Sequence, residues 1–256
     1  MKHYIGIDIG SISVNTVLID ENKNVIEEYY LRIKGEPQQI AKQSIEKLSA
    51  KYKIRAIATT GSGGKLIDGH FVNEIIAHSM ATAHLHPEVQ TVIEMGGEDS
   101  KLLLMDKGKL LDFATNTVCA AGTGSFLDQQ ATRLGMTIEE FGKLSLKSKH
   151  PPRIAGRCTV FAKSDMIHLQ QKGTPEYEIV AGLCLAVARN FATTVGKGNR
   201  WKKPISFQGG VAANAGVIKA FENVLDLQLG EFIIPKHFTS MGAIGAVLHL
   251  LENGKN

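Results

Sequence analysis

Two isolated cysteines, Cys119 and Cys158, are the residues whose type and setting most directly indicate chemistry. Cys119 lies in the stretch VCAAGTGSF (118–126), and Cys158 lies in GRCTVFAK (156–163). We expect each cysteine to precede the first turn of a helix, where the positive end of the helix dipole favours a thiolate and a bound cluster. The chain has three cysteines and no Cys-x-x-Cys pair, so it does not indicate a zinc site or a redox disulfide.

The number of available thiols indicates a site shared between two chains. Cys119 and Cys158 supply two ligands, whereas a [4Fe–4S] cluster is usually held by four thiolates. A symmetric dimer presents the same patch from both subunits and would supply all four. The other interpretation, that both residues are ordinary buried thiols, remains open at this point. The third cysteine, Cys184, lies in an apolar segment and is predicted to be a core thiol.

Composition places the chain among ordinary globular proteins. Its 256 residues suit one large domain or two small ones, with 43% hydrophobic and 21% charged residues. The net charge of +4 is too small to indicate nucleic-acid binding. We find no signal-peptide pattern and no apolar run of about 18 residues that would indicate a membrane span. Sparse cysteines favour a reducing, cytoplasmic setting.

The order of strands and turns indicates an internal duplication. Strands are predicted over 4–10, 14–20 and 25–32, joined by tight turns as in an antiparallel meander, and a similar set follows over 89–95, 101–105 and 110–114. Further strands are predicted over 54–60, 204–210 and 232–235, and helices over 74–84, 176–195, 214–224 and 240–251, with another opening at Pro37. The small residues of the last helix are predicted to serve close helix packing. The pattern predicts two copies of one α/β unit.

Three glycine-containing turns in this arrangement resemble the nucleotide motifs of the actin/Hsp70/hexokinase superfamily. They are IDIGS (7–11), EMGGEDSK (94–101) and QGGVAAN (208–214). The resemblance implies an α/β fold of duplicated, ribonuclease H-like lobes with a nucleotide cleft between them. The first lobe would comprise residues 1–86 and 239–256, and the second lobe residues 87–238. The resemblance also implies a set of ATP- or ADP-binding residues: Gly10, Ser11, Ser13, Gly96, Gly97, Lys101, Gly209, Gly210 and Asn214.

The cysteine stretches CAAGTGSFLD and RCTVFAKSD are more specific. They resemble the ATP-dependent activators of 2-hydroxyacyl-CoA dehydratases and the related ATPase subunits of benzoyl-CoA reductase. The resemblance implies an ATPase coupled to electron transfer, with one oxygen-sensitive [4Fe–4S] cluster bridging a homodimer through Cys119 and Cys158. It implies a ferredoxin or flavodoxin as electron donor and an iron–sulfur dehydratase or reductase component as acceptor. Gly122, Thr123 and Gly124 would let a helix approach the nucleotide or the cluster, with simple packing as the alternative.

For catalysis, the resemblance implies that Asp8 holds Mg²⁺ through water and that Glu98 or Asp99 orients the attacking water. The sequence does not choose between these two. The second turn departs from the family pattern Asp-Ile-Gly-Gly-Gln-Asp, because Glu98 adds a carboxylate, and this leaves the electron acceptor unidentified. Two alternatives are a small-molecule kinase of the same fold, which would not need the cysteines, and a nucleotide-dependent assembly or sensor protein.

Overall fold

The computed structural model describes residues 2–116, 122–196 and 201–254, and these form two five-stranded sheets with flanking helices. The strands are β1 (His3–Ile9), β2 (Ser13–Asp20), β3 (Val25–Arg32), β4 (Ile54–Thr60), β5 (His70–Phe71), β6 (Thr91–Met95), β7 (Ser100–Asp106), β8 (Lys109–Asn116), β9 (Ile205–Gln208) and β10 (Phe232–Ile233). The helices are α1 (Pro37–Ser49), α2 (Glu74–Leu85), α3 (Gly124–Arg133), α4 (Ile138–Ser145), α5 (Thr159–Gln171), α6 (Glu176–Thr194), α7 (Ala215–Val224) and α8 (Met241–Asn253).

The strand orders of the two sheets confirm the predicted duplication. The first sheet has the order β3-β2-β1-β4-β5, and the second has the order β10-β9-β6-β7-β8. If each strand of the first sheet is replaced by the strand five numbers later, so that β1 becomes β6 and β5 becomes β10, the first order becomes the second order read in the opposite direction. The strands that lead into the predicted phosphate turns, β1 and β6, are therefore the central strands of their sheets. The other two strands of each meander lie on one side of the central strand.

By their contacts, the residues divide into two compact units. Unit 1 comprises Met1–Val92, Leu103–Phe113 and Pro235–Asn256, and unit 2 comprises Ile93–Leu102 and Ala114–Ile234. The lobe boundaries expected from the family resemblance stay a prediction. None of the helices in the described ranges combines the length and the apolar character needed to cross a membrane.

Unit 1 buries both faces of its sheet. Val17 and Ala58 of the sheet lie in one fully buried cluster with residues of α2 and α8, while Ile5 and Ile7 pack in a second cluster that α1 covers. Small residues allow α8 to pack closely, as the sequence predicts. A Cβ atom at Gly245 would lie 1.7 Å from the carbonyl oxygen of Ala77 in α2, so the two helix backbones are in direct contact there.

Unit 2 is built around α6, the long apolar helix predicted from the sequence. Leu183, Val187 and Phe191 on this helix are fully or almost fully buried. The ring of Phe191 contacts Phe221 of α7 edge-on at a centroid distance of 5.6 Å, and Phe221 contacts Phe207 of β9 at 5.1 Å. This aromatic chain connects the helices to the strand that ends at the third glycine turn.

Two elements were not predicted from the sequence, α4 and the two-residue strand β5. The start of α4 carries a signal that identifies it in retrospect. The Thr137 hydroxyl accepts a hydrogen bond from the Glu140 backbone N–H at 3.1 Å, and the Glu140 carboxylate accepts one from the Thr137 N–H at 2.8 Å. This reciprocal capping box is recognisable in a sequence as Thr-x-x-Glu.

Candidate functional site

The first predicted phosphate turn follows β1 and has a tightly enclosed carboxylate at its base. The Gly10 N–H donates to the Ser13 carbonyl oxygen at 3.0 Å, which closes the turn that contains Ser11. Asp8 precedes this turn and is partly exposed. A Cβ atom at Gly61 would lie 2.5 Å from Asp8 Oδ1, and one at Gly242 would lie 2.3 Å from Asp8 Oδ2. Only glycine at these two positions leaves room for the Asp8 carboxylate.

Gly61 and Gly242 were not among the predicted site residues. Gly61 has a positive φ of 90° and directly follows β4. A glycine directly after a predicted strand is a sequence signal for a turn with an unusual backbone conformation, and this signal could have identified Gly61. Gly242 lies in α8, where the sequence offers a stretch of small residues and no indication that one of them faces Asp8.

The second predicted phosphate turn, between β6 and β7, is closed by a hydrogen bond from the Gly96 N–H to the Asp99 carbonyl oxygen at 3.0 Å. The Lys101 ammonium, on a side chain that is 8% exposed, lies 3.0 Å from Glu94 Oε2 and 2.7 Å from Asp99 Oδ2. Lys101 therefore joins the buried Glu94 carboxylate at the end of β6 to Asp99 in the turn. Glu98, between them in sequence, is exposed.

The third predicted turn packs directly onto the second. Gly209 has a positive φ of 87°, and a Cβ atom there would lie 2.4 Å from the Met95 carbonyl oxygen and 2.7 Å from Glu94 Oε1. Gly210 then begins a short 3₁₀ turn, Gly210–Ala213. The backbone at Gly209 can approach β6 this closely only because the residue has no side chain.

Asn214 ends the third turn as the N-cap residue of α7. Its Oδ1 accepts hydrogen bonds from the backbone N–H groups of Gly216 at 3.0 Å and Val217 at 3.2 Å. Its Nδ2 is buried and has no hydrogen-bond partner in the described ranges, so this donor is available to a ligand. A Cβ atom at Gly142 of α4 would lie 2.9 Å from Asn214 Oδ1, so the unpredicted helix α4 holds this side chain in place.

The start of α3 is hydrogen-bonded to the second phosphate turn. The Gly124 N–H donates to the Gly96 carbonyl oxygen at 2.9 Å, and the Ser125 N–H donates to the Gly97 carbonyl oxygen at 2.8 Å. Thr123, the N-cap residue of this helix, is fully buried. A Cβ atom at Gly124 would lie 3.0 Å from the Gly96 carbonyl oxygen, so this glycine permits the close approach.

Gly122, at the other end of the Gly-Thr-Gly segment, packs on a different element. A Cβ atom there would lie 2.8 Å from Nδ2 of Asn190 in α6. The two glycines of the segment thus differ. Gly124 approaches the phosphate turn, whereas Gly122 has the packing contact that the sequence left open as an alternative.

The cysteines occupy contrasting environments. Cys119 lies outside the described residues. Cys158 is the N-cap residue of α5, where its carbonyl oxygen accepts a hydrogen bond from the Ala162 N–H at 3.0 Å, and its thiol is free and partly exposed. Cys184, in contrast, is 1% exposed, and burial raises the pKa of its thiol to about 12. An accessible thiol at a helix start fits a cluster ligand, whereas Cys184 is the predicted core thiol.

Two large apolar side chains close to Cys158 in sequence are exposed. Val160 and Phe161, in the first turn of α5, are 64% and 65% exposed. Adjacent exposed apolar side chains of this size are a candidate contact surface.

Known proteins resemble this chain over nearly its whole length. The (R)-2-hydroxyglutaryl-CoA dehydratase activating ATPase of Acidaminococcus fermentans is 31% identical to this chain over 96% of the chain and 95% of its own length. The structure of the activator of the 2-hydroxyisocaproyl-CoA dehydratase from Clostridium difficile with bound ADPNP superposes with a TM-score of 0.89 at 28% identity, covering 99% of this chain and 96% of that one.

A more distant likeness concerns the fold alone. A ROK family glucokinase from Streptomyces griseus, in complex with glucose and AMPPNP, has a TM-score of 0.53 at 13% identity over 96% of this chain and 98% of that one. These likenesses and the two sheets confirm the predicted α/β fold class. The model of the BadF/BadG/BcrA/BcrD ATPase family matches residues 5–249, and the chain belongs to that family.

Proposed function

We propose that this protein is an ATP-hydrolysing one-electron donor that activates a partner iron–sulfur enzyme such as a 2-hydroxyacyl-CoA dehydratase. The observation that carries this proposal is the pair of hydrogen bonds from Gly124 and Ser125 to Gly96 and Gly97. They join a phosphate turn to the helix that follows Cys119 in sequence. A change of the turn on binding or hydrolysis of ATP would therefore move the start of α3, because a hydrogen-bonded helix end follows its partner as a rigid element.

Nucleotide binding is assigned to the three turns. The N–H groups of Gly10 and Gly96 close the first two turns, so the N–H groups of Ser11, Ser13 and Gly97 are the proposed donors to phosphate oxygens, since N–H groups in such a turn form an anion-binding concavity. Gly209, Gly210 and the free Nδ2 of Asn214 suit the adenosine part. The Asp8 carboxylate, fixed between Gly61 and Gly242, suits a hydrated Mg²⁺ because that ion keeps most of its water and binds few protein carboxylates.

Glu98 is the proposed residue that orients the attacking water. Asp99 is committed to Lys101 at 2.7 Å and holds the turn through its backbone, whereas Glu98 is exposed in the same turn. We expect Glu98→Gln to lower kcat for ATP hydrolysis by about 100-fold with little change in KM, because positioning of water acts mainly in the transition state. Asp99→Asn is the matched comparison.

The Asp99→Asn variant is expected to lower thermal stability and to weaken nucleotide binding, since it removes a charge from a partly buried ion pair. Phosphate release measured across ATP concentrations separates a lowered kcat, expected for Glu98→Gln, from weakened nucleotide binding, expected for Asp99→Asn. An unchanged kcat in Glu98→Gln would contradict the proposed role of Glu98 and would indicate that Asp99 orients the attacking water.

Cys158 and Cys119 are the proposed ligands of the cluster. When bound, a [4Fe–4S] cluster supplies one-electron transfer, received from a ferredoxin or flavodoxin and delivered to the acceptor. Two ligands from each chain require a second copy of the chain, and the exposed Val160 and Phe161 beside Cys158 support such a contact. The thiol of Cys184 is too deeply buried to serve.

Coupling between the turn and α3 is tested by Gly124→Ala. The added Cβ would meet the Gly96 carbonyl oxygen at 3.0 Å and Val211 Cγ2 at 3.1 Å, which pushes the helix start away from the turn. We expect wild-type, dithionite-reduced protein to change its EPR spectrum when ATP is added, and the variant to lose most of that change while it still binds ATP. Gly35→Ala is the control, because a Cβ at Gly35 meets nothing within 4 Å. An unchanged ATP response in Gly124→Ala would refute coupling through this contact.

The competing function, a small-molecule kinase, is supported by the fold likeness to the ROK family glucokinase and by nothing in the site. A kinase of this fold gives no role to an accessible thiol at the start of α5. Protein that transfers phosphate to a hydroxyl substrate and contains no iron after anaerobic purification would favour the kinase.

A further inference from the structure

Asp8 has two polar neighbours in the sheet that no motif identifies. In the antiparallel pairing of β1 and β2, Asp8 lies opposite Asn15, and in the parallel pairing of β1 and β4 it lies beside Thr60. Residues paired in this way project their side chains from the same face of a sheet. Asn15, Asp8 and Thr60 therefore form a row across three adjacent strands, at the end of β1 where the first phosphate turn begins.

Both neighbours carry a buried oxygen that makes no hydrogen bond to the described part of the chain. Asn15 is 7% exposed and Thr60 is fully buried. Asn15 Oδ1 and Thr60 Oγ1 have no hydrogen-bond partner within residues 2–116, 122–196 and 201–254. A buried polar atom without a partner is destabilising, so two of them beside one carboxylate indicate a ligand that satisfies them.

The chemistry of this row matches a hydrated divalent cation. Mg²⁺ binds oxygen ligands, usually through one or two protein carboxylates, and retains several waters. The amide oxygen and the hydroxyl of this row can accept hydrogen bonds from those waters. We propose that Asn15 and Thr60 position the Mg²⁺ of the magnesium–nucleotide complex beside Asp8, by accepting hydrogen bonds from its bound water. This inference rests on the proposed function, and it adds two positioning residues to the Asp8 site.

The neighbouring residue Thr59 provides a matched control. Thr59 is also fully buried, and its Oγ1 also lacks a partner in the described chain. It pairs with Ile7 rather than with Asp8, so its side chain projects from the opposite face of the sheet. Replacing Thr59 or Thr60 by the isosteric valine removes the same hydroxyl from the same strand, but only Thr60 faces Asp8.

The experiment uses Mn²⁺ as a probe for Mg²⁺. Free Mn²⁺ is titrated by EPR against the full-length protein with ADP, and ADP affinity is measured separately in EDTA. We expect Thr60→Val and Asn15→Leu to weaken Mn²⁺ binding about 10-fold, as loss of a partner of metal-bound water usually does. Thr60→Ser, which keeps the hydroxyl, and Thr59→Val are expected to bind Mn²⁺ like wild type. Metal-free ADP binding should be unchanged in all four variants, which excludes a general loss of structure.

The outcomes separate this inference from the proposed function. Equal Mn²⁺ affinities for Thr60→Val and Thr59→Val would overturn the assignment of Thr60 while leaving nucleotide binding intact. Weakened binding in Thr60→Ser would show that shape rather than the hydroxyl matters, which also contradicts the proposal. Wild-type protein that binds no ADP under either condition would overturn the proposed function and this inference together.

Discussion

Cys158→Ala is expected to remove nearly all iron from anaerobically purified protein and to abolish its brown colour. Cys158 is an accessible thiol at the start of α5, and a four-thiolate site that spans two chains would lose two of its four ligands by this one substitution. ADP affinity should stay at the wild-type value, because the substituted residue belongs to none of the three turns. Iron content, visible absorbance of the cluster and calorimetric ADP binding together measure this result.

Cys184→Ala is the matched control for the loss of a thiol. Cys184 lies in the core of unit 2 and is 1% exposed, so its thiol, whose pKa burial raises to about 12, is not accessible to a cluster shared between two chains. This variant should keep its iron and lose a modest amount of stability, about 1 kcal/mol, from the small cavity. Full iron content in Cys158→Ala, or loss of iron in Cys184→Ala alone, would show that the ligands are assigned wrongly.

Gly209→Ala is the second substitution for which we expect a large effect. Gly209 has a φ of 87°, and a Cβ would lie 2.4 Å from the Met95 carbonyl oxygen. The left-handed backbone costs a non-glycine residue about 1–2 kcal/mol, and the forced displacement costs about 1–3 kcal/mol more. Because the third turn then moves away from the second, ADP affinity should fall at least about 10-fold, which corresponds to 1.4 kcal/mol.

Gly230→Ala separates the cost of the left-handed backbone from the cost of the displacement that an added Cβ forces. Gly230 also has a positive φ, of 85°, but a Cβ there meets nothing within 4 Å. This control should lose only the backbone contribution and should bind ADP normally. Denaturant unfolding and calorimetry on both variants provide the comparison. Equal stability losses and equal ADP affinities in the two variants would contradict the close packing of the third turn on β6.

Local patterns in the sequence were sufficient for most of the fold. The meanders are predicted because their turns are short and contain glycine, serine or asparagine, and α6 is predicted because its apolar run is long. The strand β5 has two residues and shows no periodicity, so no local pattern could reveal it. For α4, the capping box of Thr137 and Glu140 is a local signal in the sequence that marks the start of this helix.

The candidate site was only partly accessible to sequence reasoning. Motifs identify Asp8, the glycine turns and the two cysteines, because those features are contiguous in the chain. The ion pairs of Lys101 with Glu94 and Asp99 depend on how the second turn folds, which a motif does not specify. The row of Asn15, Asp8 and Thr60 depends on strand register, and the contact of Gly242 with Asp8 joins distant parts of the chain.

The most direct test of the account is the amount of iron and acid-labile sulfide per dimer in protein purified without oxygen. It should be combined with the oligomeric state in solution and with EPR after dithionite reduction. We expect a dimer with about four irons and four sulfides and the signal of a reducible [4Fe–4S] cluster. Iron-free protein that still hydrolyses ATP after careful anaerobic work would contradict it, and the search for a function would then turn to hydroxyl-bearing kinase substrates.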